Sequence, residues 1–220
     1  MIYSSKKTPI NRGFPIMAII GFAVVPFILI GCSLSIPSTL IYNLYIPSKT
    51  EIKINAGNNT NQTLSITIQS PNYLSQPYIA YRDSQYKVES SKYARWDISP
   101  DKLVSEEFRY KISKMGVFEK VTVAAFNPSK YLNNSEGMFL NIYLKRFERI
   151  DEREISYAEL DFDYEITLPD GLKPIYTASF YRKIKIADKS YIELAKGLSS
   201  GIDEGIGEVM GKLINRKYYE

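Results

Sequence analysis

The chain has 220 residues, with 28 Lys and Arg against 24 Asp and Glu, a formal net charge of +4. It contains no histidine and a single cysteine, which excludes Ser-His-Asp and Cys-His nucleophilic catalysis, His-containing zinc sites and any internal disulfide. Lys6, Lys7 and Arg12 carry most of the net charge, so the remainder is nearly neutral and lacks the concentrated basic face that nucleic acid requires. Carboxylate chemistry and Ser-Lys pairs stay formally open.

The first element is an apolar run from Pro15 that closes on Leu29-Ile30-Gly31-Cys32, followed by Ser33, and no Asp or Glu precedes Glu51. A basic front, an apolar stretch and a small residue before a cut describe an export signal. With Cys32 directly after Gly31, the pattern resembles a bacterial lipoprotein signal. That resemblance implies cleavage after Gly31, diacylation of the Cys32 thiol and acylation of the new amino terminus. Each buried methylene contributes about 0.8 kcal/mol, and a second acyl chain turns marginal binding into stable attachment. The alternative is an uncleaved anchor, because the run from Gly13 to Ile30 is about 18 residues, near the lower limit for a spanning helix. Pro15 and Pro26 count against a straight span. In either case the remainder lies outside the cytoplasm. The expected plan is a signal over 1–31, a tether with a first strand and a polar loop over 32–62, and a domain over 63–220.

Residues 39–46 read as a strand that Pro47-Ser48 stops, and the Asn- and Thr-rich stretch 55–63 reads as a loop. Alternation over Leu64-Ser-Ile-Thr-Ile68 predicts a half-buried strand that Pro71 ends. Residues 78–82 and 85–89 pair most simply as a hairpin across Asp83-Ser84. Tyr93-Ala94-Arg95-Trp96 leads to Ser99-Pro100, a helix start with Ser99 as N-cap. Leu103, Val104, Phe108, Ile112 and Met115 recur at helical spacing, and Gly116 follows as the residue that ends the helix. Residues 117–123 read as a strand, and 138–147 as another with Met138, Leu140, Ile142 and Leu144 on one face. The clearest hairpin joins 156–168 to 174–186 through Pro169-Asp170-Gly171. Leu160, Phe162, Tyr164 and Ile166 face its core, with Phe180, Ile184 and Ile186 opposite. The last helix, about 188–216, carries an apolar stripe of Leu194, Leu198, Ile202, Ile206, Met210 and Leu213.

Two patterns allow more than one reading. Asp161, Asp163 and Glu165 share one strand face, as active-site carboxylates would, but they also fit a solvated face opposite Lys183 and Lys185. Gly197, Gly201 and Gly205 recur at steps of four inside the last helix, where each costs about 1 kcal/mol relative to Ala. Either close approach of the helix to a sheet or a helix–helix contact between subunits would offset that cost.

The segments Tyr42-Asn-Leu44, Pro71-Asn-Tyr-Leu74, Ile79-Ala-Tyr81-Arg82, Tyr93-Ala-Arg95-Trp96 and Gly116-Val-Phe118-Glu-Lys-Val121 together resemble the ABC-type transport auxiliary lipoproteins. These are the lipoprotein partners of MCE-protein and paraquat-inducible-type envelope transport systems. The resemblance implies an α/β fold, a single mixed β-sheet packed by two main helices at about 99–115 and 188–216. It implies a non-catalytic, lipid-anchored component of an envelope lipid or solvent transporter, working with an MCE-type periplasmic protein and an ABC permease and ATPase. No cofactor is expected beyond the lipid on Cys32. Ser33 after Cys32 resembles the sorting signal for the outer membrane, hence a position on its periplasmic leaflet. Tyr81, Arg82, Tyr93, Arg95 and Trp96 are the candidate partner-binding residues, although Arg can staple a loop and Trp96 can simply fill the core. A structural envelope lipoprotein without a transport role is the alternative from a different class, and a carboxylate hydrolase is a remote third.

Overall fold

The computed structural model describes residues 38–47, 60–124, 137–168 and 173–214. Cys32 and its flanking signal, and the Pro169-Asp170-Gly171 turn, lie outside the described residues. From Thr39 onward the chain forms one compact unit built on a mixed eight-stranded sheet.

The strands are β1 (Leu40–Tyr42), β2 (Thr60–Gln69), β3 (Tyr78–Ser84), β4 (Lys87–Trp96), β5 (Phe118–Val123), β6 (Gly137–Glu152), β7 (Ile155–Thr167) and β8 (Pro174–Lys185). The helices are α1 (Pro100–Lys114) and α2 (Tyr191–Ile214). The predicted α/β class and both helices hold. β6 is the spine. One of its edges pairs antiparallel with β7, which pairs antiparallel with β8. Its other edge takes two parallel strands in succession, β2 along Gly137–Tyr143 and β3 along Glu148–Ile150. A single 3-10 turn over Asn72–Leu74 carries the chain from one to the other. β5 extends the sheet beyond β2, and β4 and β1 extend it beyond β3.

Four local expectations change. β2 begins at Thr60, inside the stretch 55–63 read as a loop, because Thr60 and Thr63 pair with Phe118 and Lys120 of β5. The strand placed in the tether belongs to the sheet: Leu40, Ile41 and Tyr42 pair in parallel with Ala94, Arg95 and Trp96. It is shorter than 39–46 because the chain leaves the sheet toward α2, where the Tyr45 N–H donates to Ser199 Oγ at 3.0 Å. The β3–β4 turn falls at Gln85-Tyr86, and β4 runs unbroken through Tyr93–Trp96 instead of ending near residue 89. Ser99 occupies the N-cap backbone position with Pro100 beginning the helix, but its side chain makes no cap bond and donates to the Asp101 carboxylate. Gly116 does end α1, with φ +64°, a conformation that suits glycine.

Both helices pack on one face of the sheet, and the core lies between. Phe108 of α1 meets Phe162 of β7 edge-on at 5.8 Å, and Phe162 stacks on Phe180 of β8 at 4.9 Å. Trp96 meets Phe147 edge-on at 5.3 Å. The glycine row of α2 lies against the sheet. A Cβ on Gly197 would sit 2.6 Å from Ala158 Cβ, on Gly201 3.3 Å from Leu160, and on Gly205 3.0 Å from Phe162. Four helical residues rise about 6 Å, and two strand residues rise about 6.6 Å. Helix and strand therefore stay in step, with every fourth helical position above every second residue of β7. Close approach to the sheet accounts for the three glycines, and the intersubunit reading is not needed for them. No helix among the described residues is long and apolar enough to cross a membrane.

Candidate functional site: the open face of the sheet

The face opposite the helices has no layer over it among the described elements, and a β-bulge in β6 determines its chemistry. Leu144 pairs with Phe162 and Arg146 with Asp161, so Lys145 is an extra residue. A bulge reverses which residues face each side of a strand. Before it, Leu140, Ile142 and Leu144 face the helices. Beyond it Phe147 and Arg149 do, and Glu148 turns to the open face. The Lys145 carbonyl accepts a hydrogen bond from the Tyr73 hydroxyl at 3.0 Å.

Glu148 stands directly across from Glu159 of β7. Two buried carboxylates in adjacent strands repel, so each needs a cation. Arg82 Nε donates to Glu148 Oε1 at 2.5 Å. Arg146 Nη1 donates to both oxygens of Glu159 at 2.9 Å, and the Tyr181 hydroxyl donates to Glu159 Oε1 at 2.9 Å. Glu148 is 0% exposed, and its Oε2 has no hydrogen-bond partner among the described residues. Burial pushes the Glu148 carboxyl above the usual glutamate range, and Arg82 holds it back only in part. Burial and the bond to Glu159 push the Tyr181 phenol up to about 12. Arg82, Arg146, Glu159 and Lys183 border a cavity of about 310 Å³ that also touches Gln85 and Ile150.

The outward carboxylate row is neutralised differently from the expectation. In the observed register Asp161 lies opposite Tyr181, and Asp163 opposite Ser179. Their cation comes from the other neighbour: Lys145 Nζ reaches Asp161 at 2.9 Å and Asp163 at 2.8 Å. Lys183 instead bonds Glu152 at 2.5 Å. Among the described residues no three acidic or cysteine side chains come together as a metal site.

The candidate residues divide among three places. Arg82 belongs to the buried pairs just described. Its neighbour Tyr81 points to the helix side, where its hydroxyl donates to Glu89 at 2.9 Å and the Arg149 guanidinium lies 5.1 Å from its ring. Trp96 is 0% exposed and fills the core, so a surface role for its side chain is corrected. Tyr93 and Arg95 are exposed on the open face. Arg95 has no hydrogen-bond or ion-pair partner among the described residues.

Sequence reasoning missed Glu148, Glu159 and Arg149. Arg149 donates to both Asp151 oxygens at 3.1 Å and to the Lys189 carbonyl at 2.6 Å, and lies 5.5 Å from the Tyr191 ring. It fastens the start of α2 to β6. The signal for Glu148 and Arg149 was the charged run 146–154, which continues an apolar strand without a turn residue.

The described residues thus form a helix-backed mixed sheet whose open face carries paired charges. The chain belongs to the ABC-type transport auxiliary lipoprotein component family, whose model matches residues 42–209. Membership makes it an auxiliary lipoprotein component of ABC-type transport, and implies anchoring to the cell envelope through lipid and a non-catalytic role. The fold is similar to the crystal structure of a Xanthomonas campestris protein of the DUF330 family, at 12% identity and TM-score 0.63, covering 78% of this chain and 92% of that one. It is also similar to a crystal structure described as that of an uncharacterized protein, at 15% identity and TM-score 0.60, covering 80% and 99%. Among curated proteins, none matches significantly.

Proposed function

We infer that this protein is the lipid-anchored, periplasmic accessory component of an MCE-type envelope lipid or organic solvent transporter. It holds a periplasmic MCE-type protein at the membrane while the permease and ATPase supply the driving force. The observation that carries the reading is the family match across the folded unit. The missing imidazole and thiol chemistry of the domain supports it. Cys32 is the acylated residue, and Ser33 favours the periplasmic leaflet of the outer membrane as its address. The surface offered to the protein partner is the charged basin at the end of β3, where Arg82, Arg146 and Lys183 border the cavity. Fixed, paired charges on strands suit the recognition of a polar protein surface, because their orientation is set before docking.

Affinity purification of the full chain from detergent-solubilised envelopes tests this. Recovery of a permease, an ATPase and an MCE-type protein is expected. Repeated recovery of outer-membrane assembly factors alone would assign the chain to a structural role instead.

A further inference from the structure

The open face has a second end with different chemistry. At the start of β3, Tyr78 lies directly across from Arg95 of β4, and Arg95 lies across from Ile41 of β1. These three form one row across three strands, and Tyr93 lies two residues from Arg95 on the same side. Tyr78 is 51% exposed, Tyr93 53% and Ile41 57%. Four cations further along this face, Arg82, Arg146, Lys145 and Lys183, have carboxylate partners. Arg95 has none among the described residues.

We propose that Ile41, Tyr78, Tyr93 and Arg95 form a membrane-contact patch that lays this end of the sheet on the leaflet holding the Cys32 lipid. The inference rests on the lipid-anchor reading. Cys32 and Leu40 are separated by about eight residues, whose fully extended length is at most roughly 28 Å. β1 therefore cannot leave the neighbourhood of the bilayer surface, whatever path the tether takes. The chemistry of the patch fits that neighbour. Tyrosine rings settle at the headgroup level with the hydroxyl in water and the ring toward the acyl boundary. An aliphatic side chain beside them adds apolar contact, and an unpaired guanidinium binds lipid phosphate. The charged basin is four residues further along β3, roughly 13 Å away, so a protein partner and the leaflet need not compete for one surface.

The test uses the full lipidated chain in phosphatidylethanolamine–phosphatidylglycerol vesicles containing brominated lipid. Cys32 is consumed by acylation, so a cysteine introduced by Tyr93→Cys takes an environment-sensitive fluorophore, and Lys196→Cys on exposed α2 serves as the control. The label at 93 is expected to shift to the blue and be quenched by the bromines, and the label at 196 to stay wet and unquenched. Adding Arg95→Glu, which touches no folded partner, should reduce the quenching at 93 by about half or more. A label at 93 that stays wet in floated vesicles overturns the proposal. A label that is dry but unquenched also overturns it, because a protein or a second copy then covers the patch. Flotation separates this failure from failure of the anchor: a wild-type chain that does not float with the vesicles contradicts the anchor itself.

Discussion

Arg82→Ala is expected to destabilise the fold by about 3–5 kcal/mol, the range for breaking a buried ion pair from one side. The cause is Glu148, which is fully enclosed, already has one oxygen without a partner among the described residues, and would keep its charge with no cation in contact. Replacing both members should cost much less, so Arg82→Ala combined with Glu148→Gln should recover most of the loss. The pH dependence has a definite sign. Burial raises the folded-state pKa of Glu148 above the ordinary value, about 4.3 for an unfolded chain, so the folded state binds the proton more tightly. Stability from this group is complete below that ordinary value and is lost as pH rises through the raised one. Removing Arg82 takes away the main influence holding the pKa down, which extends the loss to higher pH. The variant should therefore be weakest at neutral pH and partly rescued in mild acid. Urea unfolding at several pH values checks this; a deficit in Arg82→Ala that does not change between mild acid and neutrality would contradict the account.

The glycines of α2 should separate into three classes on substitution by alanine. Gly197→Ala places a Cβ 2.6 Å from Ala158 Cβ, a contact relieved only by moving helix from strand. Overpacking of this kind costs about 1–3 kcal/mol. Gly205→Ala meets the edges of the Phe162 and Phe180 rings at 3.0 to 3.3 Å and should be destabilising as well. Gly201→Ala meets the ends of Leu160 and Ile184 at 3.3 and 3.4 Å, which can yield, and Leu160 Cβ at an ordinary 3.7 Å, so its effect should be small. Gly207 and Gly211 have nothing within 4 Å of a built Cβ. Alanine there should stabilise by up to about 1 kcal/mol through helix propensity. The order in chemical denaturation, with Gly197→Ala lowest and Gly207→Ala highest, is the signature of a helix registered on β7. Equal effects at all five positions would argue for a row used elsewhere.

Much of this arrangement is legible in the sequence because it rests on short-range periodicity. The alternation over 160–166 identifies the face of β7 that meets the helices, and the stripe from Leu194 to Leu213 identifies the matching face of α2. What escapes is non-local. Nothing in residues 60–84 says that β2 and β3 share one edge of β6, since parallel pairing leaves no turn between partners. The bulge at Lys145 is equally silent, and it is what sends Glu148 to the open face and Arg149 to the helix side. The candidate set shows a different limit. Tyr81 and Arg82 are neighbours in a strand, as are Arg95 and Trp96, and strand neighbours point to opposite faces. Each pair therefore could not form one surface. Period-two alternation was enough to separate them, while the partner of Arg82, 66 residues away, required the fold.

Lipid anchoring of this folded unit is measured by radiolabelled palmitate incorporation into the native chain. The wild-type protein should carry the label and Cys32→Ala should carry none, whereas label that persists in Cys32→Ala, or is missing from the wild type, would contradict the lipid-anchored reading.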